Sequence, residues 1–556
     1  MNIKKKIIIS TVFISCFSIA ISMTCIIWQS EKIGKELLFS IEKDRLTSIR
    51  YFKTLQVESY FDHLMENISI LATNQQLVNA LQDFSKTFSK YLSESVGLTA
   101  GYKTQVIDNY IDAYAEKYKY YNIGKIIDAK KMLNLISENS FALQYKYIFE
   151  NPYNLSNKDQ LDTVNDATKY SLIHAKYHQS LRTFKQQFGF HDIFLVDGKT
   201  GDIVYTVNKE IDFTTSLVNG PYAQSGVGEV FRSLMGSNKS NFIAVADFAP
   251  YLAFYDNQAA FIGTAVFDDA GNKIGAVIAQ LSVNNLNDIM TNGDQWEKIG
   301  LGKTVNTVIV GPDYKLRTSN RFFLENPKQF LEELKKSGTN QDTIDLIKVK
   351  NSIIGVLKTD TLAVRQAFAG VDGFVDYIDY RKIPVVSSFA PLKIPGLNWV
   401  IIVKMNKNEA LNWITILNEK ILSNGISIAV LVAMIAILLG IITAGSIVKA
   451  IYKITDEINN ITQTKDLTKR LKVLENSEFT IMINAFNNFI ANLQYTLKNL
   501  VDSSAKTQAK INNKLQDDDE EHQEVKQDIF DLNDQINDLS NEFKIIEDQN
   551  ERSKYW

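Results

Sequence analysis

The chain has 556 residues, and its 60 Lys and Arg against 63 Asp and Glu leave a net charge of −3. That balance gives no argument for nucleic acid as a partner. A content of 22% charged and 45% hydrophobic residues excludes both a disordered chain and a uniformly membranous one, and the length accommodates three or four domains. The two cysteines, Cys16 and Cys25, lie in one apolar run near the N-terminus, so the long middle region carries neither a disulfide framework nor a cysteine-based zinc site.

In chain order, residues 1–6 hold Lys4, Lys5 and Lys6, and residues 7–28 are apolar. A cleaved signal peptide has a shorter apolar core, of about 7–15 residues, and a small-residue cleavage site. No such site follows here, and the chain continues as a charged helix, so an uncleaved membrane helix is expected. The lysines place residues 1–6 in the cytoplasm. A second uncharged run, residues 425–446, is also long enough to cross a bilayer of about 30 Å. Two crossings put residues 29–420 outside the membrane and return the C-terminal part to the cytoplasm. Lys449 and Lys453 agree with this orientation, whereas Lys404, Lys407 and Lys420 weaken the contrast.

Residues 33–92 read as one long stalk helix, with Val57, Phe61, Leu64, Ile68 and Leu71 stepping by fours and threes along a packed seam. Residues 101–187 read as mainly helical and rich in Tyr and Lys. Strand patterns follow. HDIFLV and DIVYTV flank Asp197–Gly201, and FIGTAVF and IGAVIAQL flank Asp268–Asn272, two hairpin signals. Residues 188–290 thus form a first α+β domain. A second, at 300–405, is read from Val305–Val310, Ile353–Leu357, Gly373–Tyr380, Val385–Ala390 and Trp399–Met405.

This layout resembles the double Cache ectodomain of bacterial chemoreceptors of the methyl-accepting type. The resemblance rests on LTSIRYFKTLQVESYF in the stalk, FGFHDIFLVDGKTGDIVYTVNKEIDFTTSLVNGPY and DFAPYLAFYDNQAAFIGTAVFDDAGNKIGAVIAQLSVNNLNDIM in the first domain, and GLGKTVNTVIVGPDYKLRTSNRF and IPGLNWVIIVKM in the second. It implies an α+β fold of tandem PAS-like domains behind a long N-terminal helix, with the first domain distal to the membrane and holding a ligand.

Beyond the second apolar run, Ile447, Ile451, Ile454, Ile458 and Ile461 step 4-3-4-3, and Ile483, Phe486, Ile490, Leu493, Leu497 and Leu500 step 3-4-3-4-3. Two such seams per chain bury fully only in a four-helix bundle, which points to a homodimer. The connector KDLTKRLKVLENSEF, with Asp466, Leu467, Arg470, Glu478, Phe486 and Asn487, resembles a HAMP relay domain over residues 447–501. It departs from that pattern in lacking a proline at the start of the first helix and in having Ser477 where an acid is common. Residues 502–556 read as a coiled-coil tail, with Val525, Ile529, Leu532, Ile536, Leu539, Phe543 and Ile546 in heptad spacing, after a break in phase between Leu500 and Ile511 and an acidic run, Asp517–Glu521, whose like charges weaken a dimeric coil there.

No phosphate-binding loop, dinucleotide fingerprint or nucleophile elbow occurs, so no enzymatic activity and no cofactor are expected. Of the five histidines, His174 and His178 stand four apart on one helix face, a spacing that suits either a metal or a packed, hydrogen-bonded pair, with no third ligand evident. His522 lies in the acidic tail. A ligand-binding site in the first domain has Tyr205, Tyr222, Asp247, Tyr251 and Arg232 available: Asp247 to pair an amine, the tyrosines to orient it. Packing tyrosines and a turn-capping aspartate are the structural alternative for the same residues.

The expected function is a transmembrane receptor of a bacterial inner membrane. It binds an unidentified small ligand outside and relays a change through the HAMP-like segment to an unidentified cytoplasmic partner. The alternative is a membrane-anchored interaction protein with a degenerate sensor. Chemoreceptors of this build carry a long cytoplasmic hairpin beyond HAMP that is not found before Trp556, so a truncated receptor, a split receptor and a short relay all stand open.

Overall fold

In the computed structural model, residues 3–96, 98, 101–153, 157–296, 298, 300–472 and 479–514 are described, with positions 531, 534, 538 and 541 beyond them. Ser477, Glu478, the acidic run, His522 and all seven heptad residues named for the tail fall outside the described residues. The chain divides into two compact units, residues 30–417 and the two flanking parts taken together.

The first unit is threaded on the helix Ile3–Thr73. Its buried positions Leu46, Arg50, Lys53, Val57, Phe61, Leu64, Ile68 and Leu71 recur every three or four residues, so a single stripe faces the protein. Each large apolar side chain so buried contributes roughly 1.5–3 kcal/mol relative to exposure. The helix does not run on to residue 92 as its composition led us to expect. It stops at Thr73, because the Asn74 side chain accepts the backbone N–H groups of Gln76 and Leu77 and caps a new helix, Gln75–Phe88.

A five-stranded antiparallel sheet, ordered β2-β1-β5-β4-β3, comprises β1 (Asp192–Asp197), β2 (Ile203–Thr206), β3 (Ile243–Tyr251), β4 (Asn257–Phe267) and β5 (Lys273–Gln280). The two hairpins read from the sequence are β1–β2 and β4–β5. Strand β3 carried no strand pattern, since Ala, Asp and Pro dilute its alternation. One sheet face packs on the stalk and on the helices Gln75–Phe88 and Lys169–Phe188. The other packs on the helix Gly226–Gly236 and on the tyrosine-rich helical segment before residue 150.

A four-stranded antiparallel sheet follows, ordered β6-β9-β8-β7, from β6 (Asn306–Val310), β7 (Gly373–Ile378), β8 (Pro384–Pro391) and β9 (Val400–Asn406). It lies against the earlier part of the stalk, where Leu46 is buried with Val386, Val403 and Met405. The stretch Ile353–Leu357 is a turn and not the expected strand. Gly355 has φ +66°, and the Val356 and Leu357 N–H groups return to the Ile353 carbonyl. Its apolar residues Ile353 and Leu357 still enter the core, which is why they mimicked a strand.

Among the described residues two helices are long and apolar enough to cross a membrane, Ile3–Thr73 and Asn412–Thr464, and the other unit takes in the first of them up to Gln29 and the second from Asn418 on. Their apolar windows are almost wholly exposed, with Phe13, Ile14, Phe17, Leu431, Met434 and Leu438 all more than half accessible. They run antiparallel, Gly425 against Met23 and Gly440 against Ile8 and Thr11. A Cβ at Gly440 would stand 2.9 Å from Thr11 Oγ1, so glycine there lets the backbones approach. Farther on, Ile454, Ile461, Leu471, Ile483 and Ile490 form a small core between the helices Asn412–Thr464 and Phe479–Lys514. Asn487 clamps the connector by accepting from the Leu471 N–H at 2.8 Å and donating to its carbonyl at 2.9 Å.

Candidate ligand site and inter-sheet latch

The loop after β2 delivers a carboxylate into the interior of the first sheet domain. Lys209 and Thr214 both adopt positive φ, +56° and +68°, and both are fully buried. Thr214 is β-branched, so this conformation costs on the order of 1–3 kcal/mol and persists only because neighbours fix it. Gln144 donates to the Ile211 and Phe213 carbonyls at 3.1 and 2.9 Å. Ser140 holds the Thr214 carbonyl, Tyr110 the Ile211 carbonyl and Lys158 the Lys209 carbonyl.

Asp212 sits between the two strained positions with only 1% of its surface exposed. The Tyr251 hydroxyl donates to its Oδ2. Its Oδ1 and the Tyr222 hydroxyl are both buried without a hydrogen-bond partner among the described residues. Tyr222 and Tyr251 rings lie 5.8 Å apart, and Tyr110, Tyr114 and Tyr118 add a row of rings 6.1 and 6.4 Å apart. That row is helical at spacing four and begins in a single π-helical turn, Asn109–Tyr114. Burial pushes the Asp212 carboxyl up to about 7, with the Tyr251 hydrogen bond pulling the other way and the charge of Glu210 adding to the rise. Burial likewise raises the Tyr222 and Tyr251 hydroxyls far above the usual tyrosine value, so both remain protonated donors. Asp212 Oδ1 is thus a buried acceptor, and the Tyr222 hydroxyl a buried group able to donate or accept, each without a partner among the described residues.

The five residues read from the sequence do not form one site. Tyr222 and Tyr251 belong to the cluster around Asp212. Tyr205 lies on the opposite sheet face, stacked on Phe84 at 4.8 Å, with its hydroxyl 2.6 Å from His178 Nδ1. His178 and His174 stack at 4.4 Å, and Asp159 and Asp162 carbonyls meet His178 Nε2 and His174 Nδ1. Among the described residues no group of three or more ligands that could hold a metal includes them. Arg232 is on the exposed side of its helix and donates to the Ala223 carbonyl. Asp212 itself went unread, since an acid two residues before Thr214 in a polar loop carries no periodic signal.

Asp247 has a different task. Arg317, from the loop after β6, grips it with Nε on Oδ1 at 2.9 Å and Nη2 on Oδ2 at 2.8 Å. The Trp399 indole N–H also donates to Oδ1, at 2.8 Å. Trp399 in turn stacks on Phe248 of β3 and meets Phe61 of the stalk edge-on at 5.4 Å. Arg317 is buried, and its Nη1 reaches Asp313 at 2.8 Å. Gly311 leaves room for this guanidinium, for a Cβ there would fall 2.1 Å from its carbon and force it to shift. One carboxylate on β3 therefore ties the first sheet, the second sheet and the stalk together. A second tie is Lys350, whose ammonium donates to the Tyr255 and Asp256 carbonyls at 3.1 and 3.0 Å.

A long helix carrying two antiparallel sheets, with a second apolar helix after them, is the layout that the sequence's resemblance to chemoreceptor ectodomains implies. No protein-family model matches the chain. The methyl-accepting chemotaxis protein PctB of Pseudomonas aeruginosa is 29% identical over 119 residues, which is 20% of this chain and 18% of that protein. The chain thus spans under a fifth of the length of the curated relative it matches. Solved structures with some likeness include the periplasmic sensory domain of the Campylobacter jejuni chemoreceptor Tlp1, at 11% identity and TM-score 0.30 over 67% of this chain and 98% of that one. The ligand-binding domain of the Pseudomonas fluorescens chemoreceptor CtaA with L-serine has 17% identity and TM-score 0.25, over 55% and 99%. The sensor domain of the V. cholerae histidine kinase DctB has 12% identity and TM-score 0.26, over 55% and 98%.

Proposed function

We infer that this chain is a non-enzymatic transmembrane sensor of chemotaxis type, anchored in a bacterial plasma membrane with both sheets outside. It binds a small ligand bearing a protonated amine at Asp212, Tyr222 and Tyr251. The observation that carries this reading is the pair of buried, unpartnered polar atoms, Asp212 Oδ1 and the Tyr222 hydroxyl, at the end of a strained loop. An ammonium group would donate to both, and the surrounding tyrosine rings would cover an apolar body.

Tyr251 and Asp247 lie four residues apart on β3, with an irregularity in pairing between Ala246 and Ala249. Displacement of Tyr251 by a ligand is therefore placed to shift Asp247, and through Arg317 and Trp399 to shift the second sheet and the stalk. A ligand moves this equilibrium only by the difference in its affinity for the two arrangements, about 1.4 kcal/mol per tenfold. The HAMP-like helices and a homodimeric coil would carry the change to a cytoplasmic partner. The PctB match supports the chemotaxis class.

The test is calorimetric titration of the full-length protein in lipid nanodiscs with a panel of L-amino acids and primary amines. At least one amine binds, and Asp212→Asn abolishes that binding while leaving the far-UV spectrum intact. Absence of amine binding across the panel, or undiminished binding to the Asp212→Asn protein, would sink the assignment. For the relay, cysteines placed along Ile447–Ile461 should change their disulfide crosslinking pattern when the ligand is added.

A further inference from the structure

An open cleft of about 530 Å³ lies at the edge of the first sheet, apart from the closed tyrosine cluster. The volume is in the usual range for small-molecule sites. Its lining combines the aromatic side chains of Phe190, Phe254 and Tyr255 with three lysines, Lys117, Lys158 and Lys185, and two acids, Asp159 and Glu210. The lining anions are already matched. Asp159 pairs with Lys185 at 2.9 Å and Glu210 with Lys158 at 3.1 Å. Lys117 stands exposed at the rim with no ion-pair partner among the described residues, so the cleft keeps an excess positive charge. Lys158 is 3% exposed and uses its ammonium on the Lys209 carbonyl and Glu210, which leaves one donor hydrogen for the cleft.

Tyr255 is held there by force. It and Asp256 are consecutive non-glycine residues with φ of +55° and +56°. The turn is fixed by Lys350, by Asn122 on the Tyr255 carbonyl and by Tyr118 and Lys125 on Asp256. Its ring stacks on Tyr114 at 5.1 Å and thereby forms the partition between the cleft and the tyrosine cluster. Strain maintained by so many contacts is characteristic of ligand-facing segments.

We propose that this cleft is a second small-molecule site, for a ligand with a carboxylate and a planar apolar body. The carboxylate meets Lys117 and the remaining donor of Lys158, and the ring lies against Phe254 and Tyr255. The site also bears on the first one, because Lys158 and Glu210 belong to the framework of the strained loop that presents Asp212. A ligand here therefore acts on that loop from outside the tyrosine cover, and its binding does not depend on Asp212 receiving an amine.

The test uses benzoate as probe, with benzyl alcohol as its uncharged control, titrated into the full-length protein in nanodiscs. Benzoate binds measurably more tightly than benzyl alcohol. Lys117→Glu, at an exposed position, weakens benzoate by about tenfold through lost attraction and added repulsion. Phe254→Ala weakens both probes, and Asp212→Asn leaves benzoate binding unchanged. The proposal is overturned if benzoate does not bind, if the two probes bind equally, or if neither Lys117→Glu nor Phe254→Ala alters its affinity. Loss of benzoate binding in folded Asp212→Asn protein also overturns it, since a single site would then serve both ligands. Benzoate binding with the expected Lys117 dependence, beside a failure of every amine to bind, would leave this site standing and remove the amine reading.

Discussion

The Asp247–Arg317 pair allows the coupling between the two sheets to be measured. Asp247→Asn preserves shape but removes the charge and sets an amide N–H against the Arg317 Nη2, where a carboxylate oxygen now accepts at 2.8 Å. Breaking a buried ion pair by changing one partner costs about 3–5 kcal/mol. Here the lower end applies, about 3 kcal/mol, because the Asp247 side chain is 27% exposed and Arg317 retains Asp313. Arg317→Met leaves Asp247 its Trp399 hydrogen bond and costs a similar amount. If the two residues act as one latch, the double variant costs about 4 kcal/mol and not the additive sum of about 6, a coupling energy of about 2 kcal/mol. The assay is urea unfolding of the full chain in detergent for the four proteins of the cycle, alongside calorimetry with whichever amine binds. Single variants should keep ligand affinity within about threefold yet lose the ligand-dependent crosslinking along Ile447–Ile461. Strict additivity, with coupling below about 0.5 kcal/mol, or crosslinking that still responds to ligand, would refute the argument that β3 speaks to the stalk through this carboxylate.

Two further outcomes are expected. Asp212 binds a proton in the folded protein up to about pH 7 but releases it near 4 when unfolded. The unfolded state therefore binds fewer protons between those limits, and stability falls as pH rises from about 4 to about 7, by up to about 1.4 kcal/mol per unit from this group. Asp192, also raised to about 7 by burial, contributes in the same sense, so Asp212→Asn should flatten the profile only in part. Amine affinity runs the opposite way, weakening by about tenfold per unit below pH 7 as the carboxylate is neutralised; a pH-independent affinity would exclude Asp212 as the counter-ion. Lys53, buried on the stalk, donates to the Ile289 carbonyl and to Asn292 Oδ1 at 2.6 Å, at the C-terminal end of the helix Val283–Thr291. Lys53→Met should cost about 1–2 kcal/mol by uncapping that end, read as a lower urea midpoint, and a neutral result would show that the Lys53 ammonium contributes nothing to holding the stalk.

Some of this protein was legible because its signals are local or periodic. The apolar runs 7–28 and 425–446 declare themselves by length and absence of charge. The stalk seam from Val57 to Leu71 follows from a helical period, and the two hairpins from alternating residues around Gly-containing turns. Tyr222 and Tyr251 could be named as available because one lies in a polar loop and the other at the end of a strand. What lay beyond the sequence was partnership across distance. Asp247 looked free until folding brought Arg317 and Trp399, 70 and 152 positions away, onto its two oxygens. Asp212 looked like any loop acid, and only burial between Lys209 and Thr214 left one of its oxygens without a partner. Local pattern determines which segments become helix or strand, since those energies depend on neighbours within a few residues. The environment of a charge depends on what the rest of the chain places around it, and that was decided by the tertiary structure alone.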